Sequence, residues 1–431
     1  MNLHITNGRL IDPAGGVDVV ADLFVADGKV AAIGAAPAGF KADRVIDASG
    51  KLVIPGLIDL AARLRKPVEY RATLEVEMKA ALAGGVTSVV LPPDTDPTLD
   101  EPGLVEMLKD RARQLDQVNL YPLGAMTVGL EGKVITEMAE LTEAGCVGLS
   151  QADIPVEDTT VLMRAMQYAR TFDYVLWLQP NDPWLSRDGV AASGAYAARL
   201  GLSSVPAQSE SIALHTLFEL HRATGARLHL CRLATAGGVE LVRRARREGL
   251  AVTCDVSINN LHLTDVDIGY YDSNFRLNPP LYGQRDRDAI LAGLVDGTID
   301  AICSDHTPVS RDGKMLPFAE AQVGAAGLEL LLPLTLLWAA RQGIPLVKAL
   351  ACVTSAPARI LGASCPSVPQ CGSLAVGFPA DLCIVDPQAS WMVAEQSPAG
   401  QNQQTPFIGI EMPASVVATV VRGRVLWEPA A

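Results

Sequence analysis

Pro55-Gly56-Leu57-Ile58-Asp59-Leu60-Ala61-Ala62-Arg63-Leu64-Arg65 is the stretch that decides the fold. A proline-glycine turn releases a short apolar run, the pattern of a strand buried on both faces of a parallel sheet. Leu57 to Arg63 is the first of eight such runs; the others are Thr87 to Pro92, Val118 to Leu123, Cys146 to Ser150, Tyr174 to Gln179, Arg227 to Arg232, Ala251 to Ser257 and Asp300 to Asp305. Helical patterns intervene, such as Leu74 to Ala83 and Val239 to Glu248. Eight alternating units predict a TIM (β/α)8 barrel over residues 56–364. An open doubly wound sheet is the alternative, but no Gly-x-Gly-x-x-Gly follows the first strand.

On either side the texture changes to short strands and turns. Leu3-His4-Ile5, Val19 to Val25 and Val30 to Gly34 precede the barrel, and Asp381 to Val385 and Val416 to Leu426 follow it. Residues 1–55 and 365–431 are therefore expected to build one small composite β-domain. The polar stretch Glu395 to Thr405 reads as a surface loop.

With 431 residues, 49% of them hydrophobic, the chain can bury a large core. Its formal charge of -13 disfavours nucleic acid and anionic membrane surfaces as partners. Eight cysteines without Cys-x-x-Cys spacing point to packing thiols in a reducing, cytoplasmic setting. The amino terminus lacks the pattern of a signal peptide, and no fully apolar run of about 18 residues is present.

In a barrel of this kind the chemistry sits where the strands end. Several segments there and beyond carry a recognisable pattern: Pro55 to Asp59, Leu64-Arg65, Asn278-Pro279-Pro280-Leu281, Asp296-Gly297-Thr298-Ile299-Asp300 and Ser304-Asp305-His306. Gly377-Phe378-Pro379-Ala380-Asp381-Leu382 and Thr405-Pro406-Phe407-Ile408-Gly409 extend it. Together they resemble the dihydroorotase branch of the cyclic amidohydrolases over nearly the whole chain. The resemblance implies metals held by His-x-His after strand 1, an acidic residue or carboxylated lysine after strand 4, histidines after strands 5 and 6, and an aspartate after strand 8.

Here those positions read differently. Ala61 and Arg63 replace His-x-His, and they share one face because strand side chains alternate. Alanine offers no lone pair, and arginine brings a fixed cation where a dication would sit. Gln151 and Ala152 stand at the acidic positions, with Asp153 one or two places further along. Gln179 and Arg232 replace the two later histidines, leaving Asp305 as the remnant. Without a metal an attacking water keeps a pKa of about 15.7 instead of about 7. Arg63 and Arg232 are expected instead to neutralise Asp305.

Substrate contacts implied by the resemblance are partly retained at Arg65 and Asn278, which match positions that grip a carboxylate. They are opposed by Asp94 in place of asparagine and Val309 in place of histidine. None of the six histidines (His4, His215, His221, His229, His262 and His306) has a partner at a chelating spacing, so no replacement zinc site is expected. Cys231 and Cys303 read as packing thiols, and neither a nucleophile elbow nor a P-loop is present.

The expectation is a dihydroorotase-like pseudoenzyme without metal or cofactor, retained as a scaffold. The resemblance also implies a partner, the aspartate carbamoyltransferase catalytic chain of pyrimidine biosynthesis, in a hetero-dodecamer; residue spacing does not identify it. Two alternatives are an active hydrolase with an altered metal site and a metal-free ligand sensor using Arg65 and Asn278.

Overall fold

A computed structural model describes residues 1–64, 74–395 and 404–429. Eight parallel strands form the barrel: β1 (Leu57–Asp59), β2 (Val86–Leu91), β3 (Asn119–Pro122), β4 (Leu149–Ser150), β5 (Val175–Leu178), β6 (Arg227–Leu230), β7 (Val252–Ser257) and β8 (Ala301–Cys303). Each falls within one of the eight expected runs or extends it by a residue. Neighbours pair in sequence order, with the two-residue strand Gly124–Ala125 carrying β3 across to β4. A parallel bridge between Ala62 and His306 closes the ring, and the Arg63 amide donates to the His306 carbonyl at 2.8 Å.

All residues of β2 and β5 are buried, as strands covered on both faces must be. The approach of β1 to β2 demands glycine at 56, because a Cβ there would lie 2.2 Å from Thr87.

The second unit is an eight-stranded sheet that collects strands from both ends of the chain. Leu52–Pro55 lies in its middle, parallel to Leu3–Asp12 on one side and antiparallel to Leu382–Met392 on the other. The expected run Val416 to Leu426 is broken by a turn at Arg422 and Gly423 into Glu411–Val421 and Arg424–Trp427. Of the polar stretch Glu395 to Thr405, residues 396–403 lie outside the described part; Gln404 and Thr405 are buried.

Leu346–Ser364, with mean hydropathy 1.3, is long and apolar enough by composition to cross a bilayer, a property not expected from the sequence. It carries Lys348 and Arg359, is 56% buried, and comprises two helices, Leu346–Ala351 and Ser355–Ser364, packed into the fold.

Candidate functional site

At the carboxyl ends of the barrel strands, two arginines and three aspartates form one ion-pair cluster. Arg63, beyond β1, donates to Asp94 at 2.8 Å through Nε and to the Thr307 hydroxyl at 3.1 Å through Nη1, and its Nη2 lies in an ion pair 2.8 Å from Asp153. Arg232, beyond β6, pairs with Asp305 at 3.0 Å and with Asp153, and donates to the Gln179 side-chain oxygen at 3.3 Å. Arg63, Arg232 and Asp305 are no more than 7% exposed, so solvent screens them weakly.

Three carboxylates face two guanidiniums. Burial opposes ionisation of Asp153, but Arg232 and Arg63 outweigh it and hold the carboxyl well below the ordinary range. For Asp305 burial prevails over Arg232 and Arg63, with Asp153 adding repulsion, and the carboxyl is raised.

Local backbone geometry aims these groups. Ala152, Arg232 and Asp305 all adopt positive φ, of 50°, 55° and 53°, which turns the chain sharply as each strand ends. Asp255 on β7 fixes the turn at 232: one carboxylate oxygen accepts the Arg232 amide at 2.6 Å and the other faces His229 Nε2 at 3.0 Å. His229 is held on its other nitrogen by Thr253 at 2.8 Å. At the barrel seam Asp59 accepts the Ser304 amide at 2.9 Å and its hydroxyl, and burial pushes that carboxyl up to about 6.

Several expectations require correction. Arg63 bonds Asp94 and Asp153 and makes no direct bond to Asp305, because Asp153 stands within its reach. Asp94 therefore has a counterion and does not present a free charge. Asp153, given no role from sequence beyond a slipped alignment, is the shared counterion of both arginines. Gln151 is outside the cluster: it accepts from the Thr127 hydroxyl and donates to the Leu130 carbonyl. Ala61 packs with Ile58 and Leu60.

Asn278 meets Arg232 through its carbonyl at 3.4 Å. Arg65 lies outside the described residues, and Val309 is buried. Two histidines expected to lack carboxylate partners have them in space. His229 faces Asp255, and His306 Nε2 lies 2.9 Å from Glu77 while its Nδ1 accepts the Gly327 amide. Cys231, expected to be without a histidine, lies with His229 and Asp255 in a group whose candidate ligand atoms fall within 4.8 Å of one another.

Residues 205–426 match the model of the amidohydrolase family, and residues 50–237 match the dihydro-orotase-like model. A protein of Pseudomonas putida named dihydroorotase-like protein is 40% identical over 431 residues, covering 100% of both chains. This chain belongs to the dihydroorotase-like amidohydrolases. A dihydroorotase-like protein of Pseudomonas aeruginosa is 39% identical over 99% of this chain and 100% of its own length. A Geobacter protein named dihydroorotase is 36% identical over 99% and 100%. Among solved structures, the L-hydantoinase of Arthrobacter aurescens superposes with a TM-score of 0.85 at 25% identity, covering 99% of this chain and 96% of that one.

The metal centre that the resemblance implied at these strand ends is not matched by the donors present here. Ala61 has no ligand atom, Gln151 is committed elsewhere, and guanidiniums at 63 and 232 place fixed positive charge where a cation would bind. The nearby His229, Cys231 and Asp255 group fits no better. Its histidine and aspartate are bonded together, and burial pushes the Cys231 thiol well above its ordinary range, opposing the thiolate that a metal needs.

Proposed function

We propose that this dihydroorotase-like protein does not hydrolyse dihydroorotate and instead supports assembly and activity of aspartate carbamoyltransferase in pyrimidine biosynthesis. What carries the first half is the bonding of Arg63 and Arg232 to Asp94, Asp153 and Asp305. The carboxylate that would act as general base is engaged by a guanidinium, and nothing in the cluster lowers the pKa of water. The second half rests on the likeness to chains named dihydroorotase-like protein, which runs over the whole length of this chain.

The test has two arms. Purified protein is analysed for zinc and assayed for dihydroorotate turnover; neither stoichiometric metal nor activity is expected, and finding both sinks the pseudoenzyme half. It is then mixed with the transcarbamoylase catalytic chain and sized. A single larger species with higher transcarbamoylase activity supports the scaffold half, and two independent species with unchanged activity overturn it.

A further inference from the structure

A sheet edge carries a row of unpaired backbone donors and acceptors, and the eight-stranded sheet treats its edges differently. Where Lys29–Ile33 ends the sheet, the Val30 amide donates to the Phe378 carbonyl at 2.9 Å and the Gly377 amide donates to the Val30 carbonyl at 2.8 Å, so a returning segment occupies that edge. At the opposite end, Arg424–Trp427 is only four residues long, and Arg424 and the neighbouring Glu428 are paired with Asp116 and Arg44. Short, charged or covered edges resist further pairing.

The strand Val17–Ala26 lacks this protection over half its length. Leu3–Asp12 flanks it from Val17 to Val25, but Lys29–Ile33 pairs only with Leu23 to Ala26 on the other side. The Gly34 amide reaches the Asp22 carbonyl and goes no further. Among the described residues, Val17 to Ala21 therefore have no neighbour on the outer edge. Val19 and Val20 point to opposite faces of the sheet, yet are 47% and 73% exposed, so neither face is covered here. Exposed β-branched residues along an open edge are a template for another strand.

The sequence Val17-Asp18-Val19-Val20-Ala21 selects which strand. Laid antiparallel on itself with Val19 opposite the second copy's Val19, it sets Asp18 across from Val20 and Val17 across from Ala21. No two charges then stand opposite one another, and like charges there would oppose pairing. Asp18 is already bonded to Arg9 of its own copy at 2.7 Å, and Arg9 stands beside Val20 in the register of the sheet. In the paired arrangement each Arg9 thus looks along its row, past Val20, to the second copy's Asp18, so charges of opposite sign alternate across the junction.

We propose that Val17 to Ala21 form a self-association edge, on which two copies of this chain pair antiparallel about a twofold axis at Val19 and join their sheets. A five-residue ladder buries less than a standard interface, so association is expected at about 1–100 µM rather than at nanomolar concentrations. The proposal does not depend on the reading of catalysis or of the transcarbamoylase, because this chain alone is tested.

The test is sedimentation velocity of the full-length protein from about 1 to about 300 µM, over which the mean mass should rise from one chain toward two. Val19→Lys and Val19→Asp should each hold the protein at one chain, because like charges meet at the axis, and an equimolar mixture of the two should regain the dimer. Val45→Lys, at an exposed valine on the strand Arg44–Asp47 away from this edge, should dimerise as the unaltered chain does. Thermal melting checks that each variant is folded; if those at 19 are not, Val20→Asp, which sets aspartates opposite each other on both sides of the axis, takes their place. A chain that stays monomeric throughout, a dimer that survives the charge at 19 or 20, a mixture of the two folded variants at 19 that stays monomeric, or a dimer lost equally in Val45→Lys would each overturn the proposal.

Discussion

Arg232 joins Asp305, Asp153, Gln179 and the Asn278 carbonyl through its two terminal nitrogens. Removing it leaves Asp305 buried with no direct counterion, so Arg232→Leu should destabilise the fold by about 3–5 kcal/mol in urea titrations. The double variant Arg232→Leu/Asp305→Leu should lose less than Arg232→Leu alone, because the stranded carboxylate has gone and Asp153 still has Arg63. A second prediction concerns the first strand end. Ala61→His/Arg63→His should acquire no stoichiometric zinc by elemental analysis, since Arg232 keeps its charge in the same cluster and Gln179 remains unsuited. Zinc uptake by that variant would refute the account of the site. Positions 63, 179, 232 and 305 were legible through the family resemblance, and the structure brings them to one barrel mouth. Asp153 was not, because the left-handed turn at Ala152 redirects the chain in a way that residue spacing cannot reveal. Asp255 and His229 were missed for another reason: they act across neighbouring strands.

Between elements, the buried Glu210 ties the helix Gln208–Thr224 to the start of Ala236–Arg247 through Ala234 and Thr235. Burial raises its carboxyl to about 7, over the hydrogen bonds from Thr235 and Ala234 that oppose the shift. A folded-state pKa above the ordinary value of 4.5 means that the folded protein binds the extra proton, so stability falls as pH rises from about 4.5 to about 7. The expected loss is about 3 kcal/mol over that window, and Glu210→Gln should flatten this part of the profile in denaturant titrations at successive pH values. The same contact constrains Gly238, where a Cβ would lie 1.9 Å from Glu210 Oε1. Gly238→Ala should therefore cost about 1–3 kcal/mol by displacing the carboxylate from its donors. At this scale the sequence revealed the eight barrel strands, since continuous apolar runs survive any change of loops. The strand Leu52–Pro55 lies within residues 1–55, assigned to the β-domain, but was not among its expected strands; its pairing with Leu382–Met392 places it in the sheet.

For the whole molecule, the packed core and the barrel seam supply the cohesion that the described residues show. The largest buried cluster runs from the barrel strands to Phe407 and Val421 of the terminal segment. A chelator should leave the melting temperature unchanged in calorimetry, and a drop of several degrees would point to a bound ion contributing to the fold. Asn119 on β3 donates to Asp381 at 2.8 Å, and the Arg422 amide donates to the same carboxylate at 2.6 Å, so barrel and sheet share a buried junction.

The place of Leu52–Pro55 between an early and a late strand also sets a timetable for synthesis. Its antiparallel neighbour leaves the ribosome roughly 300 residues later, a wait of about 15–60 s at about 5–20 residues per second. For that interval the nascent sheet ends in an unpaired apolar edge, the kind of surface on which growing polypeptides associate. Yield in the cell should consequently depend on how well that edge is shielded during translation, as much as on the stability of the finished fold.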